Sequence, residues 1–159
     1  MVAIQSDKII HGNYELLDLL LNNGADLEAR DCNGNIAVLL ACSSRTSIHS
    51  VPRLVANSQN GVHKKCSDVC ARNNEGLTAL YLIATKSQLP GVGFIVKLLI
   101  KRGADIEAID TEKGGNRPIQ SSCLWGNVEV TQVLEMGAKI EKNSRGLTPL
   151  LIAVCRTWV

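Results

Sequence analysis

The stretch GADLEARD, Gly24 to Asp31, recurs three times: as CSDVCARN from Cys66, GADIEAID from Gly103 and GAKIEKNS from Gly137. The starts lie 42, 37 and 34 residues apart. Each copy runs into a polar turn that closes on glycine, at Gly34, Gly76, Gly114-Gly115 and Gly146, and each glycine leads into a short block: NIAVLLAC, LTALYLIA, NRPIQSSC and LTPLLIAV. A leucine-rich stretch precedes three of the copies: YELLDLLLNN, FIVKLLIKR and VEVTQVLEM. Self-similarity at such a period is the signature of a stacked array, in which one unit cannot bury its apolar face alone.

The unit can be read from elementary propensities. Thr78 and Thr148 are suited to cap helices that begin at Ala79 and Pro149, since a side-chain oxygen there accepts an orphan backbone N–H. Pro118 and Pro149 suit the first helical position, where a missing donor is harmless. Leu16, Leu19 and Leu20, and again Ile95, Leu98 and Leu99, recur at i, i+3, i+4 and place an apolar stripe on a second helix. Gly24, Gly103 and Gly137 follow that helix as left-handed caps. One unit is thus helix, turn, helix and an extended hairpin finger carrying Asp31, Asn73 or Asp110.

This pattern resembles the ankyrin-repeat family over nearly the whole chain, from about Asn13 to Val154; Thr148-Pro149-Leu150 and Gly103-Ala104-Asp105 match its motifs outright. The resemblance implies an all-α solenoid of stacked helix-turn-helix units with short β-hairpin fingers. As a single domain it divides into units of about 1–33, 34–75, 76–114 and 115–145, with a partial unit 146–159. Against a period of ~33, Ser43 to Lys65 carries about nine extra residues and the stretch around Gln88 to Gly91 about four. Loops of a solenoid tolerate such insertions.

Three departures stand out. Leu39, Tyr81, Gln120 and Leu151 occupy the place of the family's histidine, which ties neighbouring turns together, so weaker local order is expected. Glu28, Cys70, Glu107 and Glu141 replace its usual asparagine, which removes the target of asparagine hydroxylation. Gly126 and Gly137 are 11 apart where Gly12 and Gly24, and Gly91 and Gly103, are 12 apart. The missing residue matches Leu21 and Ile100, and its loss turns the residues downstream of it by ~100° about the helix axis. An under-packed fourth unit or a shortened helix is expected.

Composition bounds the function. The 159 residues are 45% apolar, 20% charged and 3% aromatic, with 17 basic and 15 acidic side chains mixed along the chain for a formal charge of +2. No basic stripe marks a nucleic-acid surface, and no run approaches the ~18 apolar residues of a membrane span. The six cysteines are spread widely and read as reduced thiols of an intracellular protein, cytoplasmic or nuclear. His63, Cys66 and Cys70 form H-x2-C-x3-C with His49 nearby, but that spacing fits no standard zinc site, and neither a metal nor a cofactor is expected. Gly91-x-Gly93 and Gly114-Gly115 lack the strand–glycine–helix context of a nucleotide loop, and no cysteine recurs with a histidine as a nucleophile pair. No catalytic residues are expected.

The resemblance implies a protein-binding module, a monomer or part of a longer array, that presents finger tips and inner helices on a concave face. By repeat position the candidate contacts are Asn33, Asn35, Asn74, Glu75, Leu77, Lys86, Glu112, Lys113, Trp125 and Arg145. Trp125 carries two readings: a hot spot of the residue type enriched at interfaces, or a cover for the gap left by the short helix. The apolar run Leu150 to Val154 favours a competing function, a regulatory or substrate-recruiting part of a larger protein such as an ATPase or ubiquitin ligase.

Overall fold

The computed structural model describes residues 14–55, 67–86, 91–111 and 114–156. The helices are α1 (14–22), α2 (Ala37–Ser43), α3 (Val51–Val55), α4 (Ala79–Ala84), α5 (Val92–Lys101), α6 (Pro118–Trp125), α7 (Val128–Leu134) and α8 (Pro149–Arg156), with one 3-10 turn at Ile48–Ser50. They stack in two rows. α2, α4, α6 and α8 lie side by side as an inner row, and α3, α5 and α7 form an outer row behind them. At the first end α1 meets α3, where Arg53 pairs with Asp18 at 2.9 Å and stands 4.7 Å from the centre of the Tyr14 ring.

The core lies between the rows and is aliphatic, as the scarcity of aromatics requires. Leu39, Leu80, Ile83, Leu99, Ile119 and Leu134 are almost fully enclosed, and each such side chain contributes about 1.5–3 kcal/mol of transfer free energy. Helices of five to ten residues are too short to persist alone in water, so this packing is what holds them.

The ends of the helices bear out the expected chemistry. Thr78 Oγ1 accepts from Tyr81 N at 3.4 Å and Thr148 Oγ1 from Leu151 N at 3.3 Å. Pro118 and Pro149 open α6 and α8. Gly24 and Gly103 are left-handed, with φ of 80° and 91°.

Gly137 is not left-handed, and here the shortened unit explains itself. Leu134 keeps the register of Leu99 and is equally buried. α7 then stops, and Ala138 N bonds back four residues to Leu134 O at 2.8 Å, where Ala104 N reaches back five to Leu99 O at 3.0 Å. The missing residue is removed from the cap rather than from the packed helix, so no rotated side chain is driven into the core.

The fingers are hydrogen-bonded turns, with no strand among the described residues. In the first, Asp31 N donates to Asn35 O at 3.0 Å and Gly34 N to Asp31 O at 2.9 Å; Asn73 with Leu77 and Gly76, and Asn143 with Leu147 and Gly146, repeat the scheme. The stretch 43–55, expected from the sequence to be part of an insertion, supplies the 3-10 turn and the outer helix of the second unit.

Candidate functional site

The finger row is built one residue type at a time. Asp31 Oδ1 accepts from Asn33 N at 2.9 Å and Asn35 N at 2.8 Å. Asn73 and Asn143 accept likewise from Glu75 and Leu77, and from Arg145 and Leu147. A short side chain folded onto the backbone two and four residues ahead fixes the turn locally. The Asn35 backbone N–H, then its side-chain amide, hold the Asp31 carboxyl below the usual carboxylate range.

Neighbouring fingers are then locked to one another. Asn74 N donates to Asn33 O at 2.9 Å, Asn73 Nδ2 to Asn35 Oδ1 at 3.0 Å, and Asn143 Nδ2 to Asn116 Oδ1 at 2.7 Å. Arg30 donates to Gly34 O at 2.7 Å in its own finger and to Arg72 O at 2.8 Å in the next. Arg72 repeats this with Gly76 O at 2.6 Å and Ile109 O at 2.9 Å. The series stops where Ile109 takes the arginine's place.

The positions that depart from the family pattern carry further links. Gln120, fully buried, donates through Nε2 to Glu141 O at 2.9 Å and Leu147 O at 3.1 Å, while its Oε1 accepts from Arg117 N at 2.9 Å. Tyr81 reaches Asp110 Oδ2 at 3.2 Å. At two of the positions where the family's histidine is missing, an amide and a phenol thus supply hydrogen bonds to the next unit. Glu28 accepts from Asp68 N at 2.9 Å and Glu107 from Lys139 N at 2.7 Å, so the glutamates also bridge successive units. Arg117 sits between Glu107 and Glu141 at 2.8 and 2.6 Å.

Of the candidate contacts, Asn33, Asn74, Glu75 and Arg145 are exposed along this row. Asn35 is half-buried within the ladder. Leu77 is 5% exposed, a core residue rather than a surface one, because its side chain turns under the finger. Lys86 is half-buried, and its carbonyl accepts from Asn127 Nδ2 at 2.6 Å. Glu112 and Lys113 lie outside the described residues, as do His63 and Cys66 of the cysteine–histidine cluster. Cys70 donates to Gly103 O at 3.2 Å, and no cluster of metal-ligating side chains occurs among the described residues.

Trp125 is 49% exposed and stands away from the fingers, at the far end of α6. It does not cover the shortened end of α7, which lies a helix length away. It lines an open groove of about 970 Å³ with Val128, Thr131, Ile152 and Cys155, between α6, α7 and α8. Sequence reasoning missed Val128, although alignment of Gly126 with Gly91 sets it in the place of Gly93. It also missed the arginine clamp, whose signal was the arginine repeated at 30 and 72. Burial raises the Cys42 thiol strongly, and burial raises that of Cys123 against lowering bonds from Thr131 and Ser122.

Stacked helix pairs joined by glycine-closed fingers define a repeat scaffold, and the chain belongs to the ankyrin-repeat family: the family model "Ankyrin repeats (3 copies)" matches residues 1–110. It is 31% identical over 156 residues to the B-cell lymphoma 3 protein homolog of Mus musculus, covering 90% of this chain and 33% of that protein. To the human B-cell lymphoma 3 protein it is 30% identical over 151 residues, covering 87% and 31%. The chain thus spans about a third of the length of these relatives. Ankyrin repeats are protein–protein interaction modules, and no helix among the described residues is long and apolar enough to cross a membrane.

Proposed function

We propose that this chain is a non-enzymatic scaffold that grips a protein partner through its concave face, with Asn33, Asn74, Glu75 and Arg145 making contact from the finger tips. The observation that carries this reading is the cross-bonded row of fingers among the described residues, in three of which the backbone is held by Asp31, Asn73 and Asn143 while Asn33, Asn74, Glu75 and Arg145 remain exposed. A rigid row presenting polar tips lowers the ordering cost of binding. Mixed surface charge favours a protein partner over nucleic acid. Free thiols at Cys32, Cys42, Cys70, Cys123 and Cys155 support an intracellular setting, cytoplasmic or nuclear.

The test is site-directed photo-crosslinking in a native lysate, with the photoreactive residue placed at Glu75, at Arg145 or, as a control on the outer row, at Lys97. The expected result is one protein captured from Glu75 and Arg145 and not from Lys97. Capture from Lys97 alone would move the binding face to the outer row and end this reading.

A further inference from the structure

Asparagine followed by glycine is a reactive pair, because glycine has no Cβ to shield its backbone nitrogen from the asparagine side chain. The sequence holds three such pairs: Asn23-Gly24, Asn33-Gly34 and Asn60-Gly61, the last outside the described residues. The other two are chemically alike and differ in how the fold holds them.

The Asn33-Gly34 peptide is fastened from both sides. Gly34 N donates to Asp31 O at 2.9 Å, and Asn33 O accepts from Asn74 N of the next finger at 2.9 Å. Gly34 O accepts from Arg30 at 2.7 Å. Gly34 is buried, and a Cβ there would stand 2.9 Å from Asn74 N. Turning its nitrogen toward the Asn33 side chain breaks bonds in two fingers at once. Asn23-Gly24 instead closes α1. Residues 22–26 are all exposed, and a Cβ on Gly24 would meet nothing within 4 Å. Among the described residues the bonds donated by Asn23 and Gly24 run to α1's own carbonyls: Asn23 Nδ2 to Leu19 O at 2.7 Å, and Gly24 N to Leu21 O at 3.1 Å. Fraying of one helical turn releases both.

We propose that Asn23 is a site of spontaneous modification, converted through a cyclic imide with Gly24 into aspartate and iso-aspartate, while the interlocked fingers protect Asn33. The Gly24 nitrogen, having given its proton to solvent base, bonds to Asn23 Cγ; the Cγ–Nδ2 bond breaks, and ammonia leaves with a proton from water. A second water opens the imide. Opening at Cγ gives aspartate, and opening at the backbone carbonyl gives iso-aspartate, whose main chain runs through Cβ and Cγ. The balance is amide plus water to acid plus ammonia. Either product removes the donor from Leu19 O and sets an anion at the carbonyl end of α1, where the helix dipole opposes negative charge. Conversion therefore opens the last turn of α1.

The test holds the whole folded chain in mildly alkaline buffer for days. Peptides from its digest are then weighed, and iso-aspartate is located by enzymatic methyl transfer. Asn23 should convert about tenfold faster than Asn33, and the two rates should converge in urea, where no finger shields either pair. Asn74→Ala, which strips cover from Gly34, should speed conversion at Asn33 about threefold and leave Asn23 unchanged. Asn23→Asp reproduces one product. It should lower hydrogen-exchange protection at Ala25 N, whose bond to Leu20 O at 3.0 Å closes the helix, and spare Ile83. Equal rates in the folded chain, faster conversion at Asn33 or a gap that persists in urea would overturn the proposal. So would an Asn33 rate indifferent to Asn74→Ala, or unchanged protection at Ala25 in Asn23→Asp.

Discussion

Gln120 shows how a single side chain can replace a motif. An amide offers one acceptor and two donors, and all three roles are filled: Arg117 N below, Glu141 O and Leu147 O in the next unit. Leucine at this position would fill the space and leave those backbone groups without their partner. Removing one side of a buried hydrogen-bond set is more damaging than the mean value of a bond suggests. Gln120→Leu is expected to lower stability by about 2 kcal/mol in urea unfolding, and Tyr81→Phe, which loses one bond to Asp110, by about 1 kcal/mol. A loss near zero for Gln120→Leu would mean that solvent replaces the amide. At Leu39 no such exchange is available, and the position is simply part of the aliphatic core.

Among the elements, α7 is the one whose ends decide its place. Its first turn is held by Asn127, which accepts from Val130 N at 3.2 Å while donating to the carbonyl of Lys86 on the preceding unit. One buried side chain thus starts the helix and positions it. Its last turn is cut off after Leu134, and the chain leaves without the left-handed glycine that closes α1 and α5. Asn127→Ala is expected to reduce stability by about 2 kcal/mol, combining loss of a cap and of an inter-unit bond. The amide of Val130 should lose hydrogen-exchange protection with it, whereas the amides of α4 should keep theirs. Fraying spread evenly over α4 and α7 would show that the bond to Lys86 joins the two units into one cooperative block.

In the whole molecule, stability is a sum over neighbours. Each unit touches those on either side, so order is highest where both sides are covered. α4 is packed by α2, α5 and α6, whereas α8 meets α6 and turns Leu150, Leu151 and Val154 outward. Native-state hydrogen exchange should therefore grade from strong protection at Ile83 and Ala84 to weak protection along α8. Equal protection in both would require one cooperative unit in place of a chain of contacts. The clamp of Arg30 and Arg72 stiffens the first three fingers and is missing at Ile109, while Arg117 with its two glutamates ties the third unit to the fourth.

The repeat, its helix pairs and its capping residues were legible in the sequence because they are local. A threonine three residues before an amide it caps, a proline opening a helix and a glycine closing one act within a single turn, and four copies in register make the pattern unmistakable. Which side chains join one unit to the next was settled by tertiary structure alone. Gln120, Glu107 and Arg72 meet partners 21 to 37 residues away, and nothing in a one-dimensional pattern shows which donor comes within 3 Å of which carbonyl. The same holds for Trp125: its type suggested a contact residue, but only the stacking of α6, α7 and α8 placed it in a groove, remote from the fingers with which sequence position had grouped it.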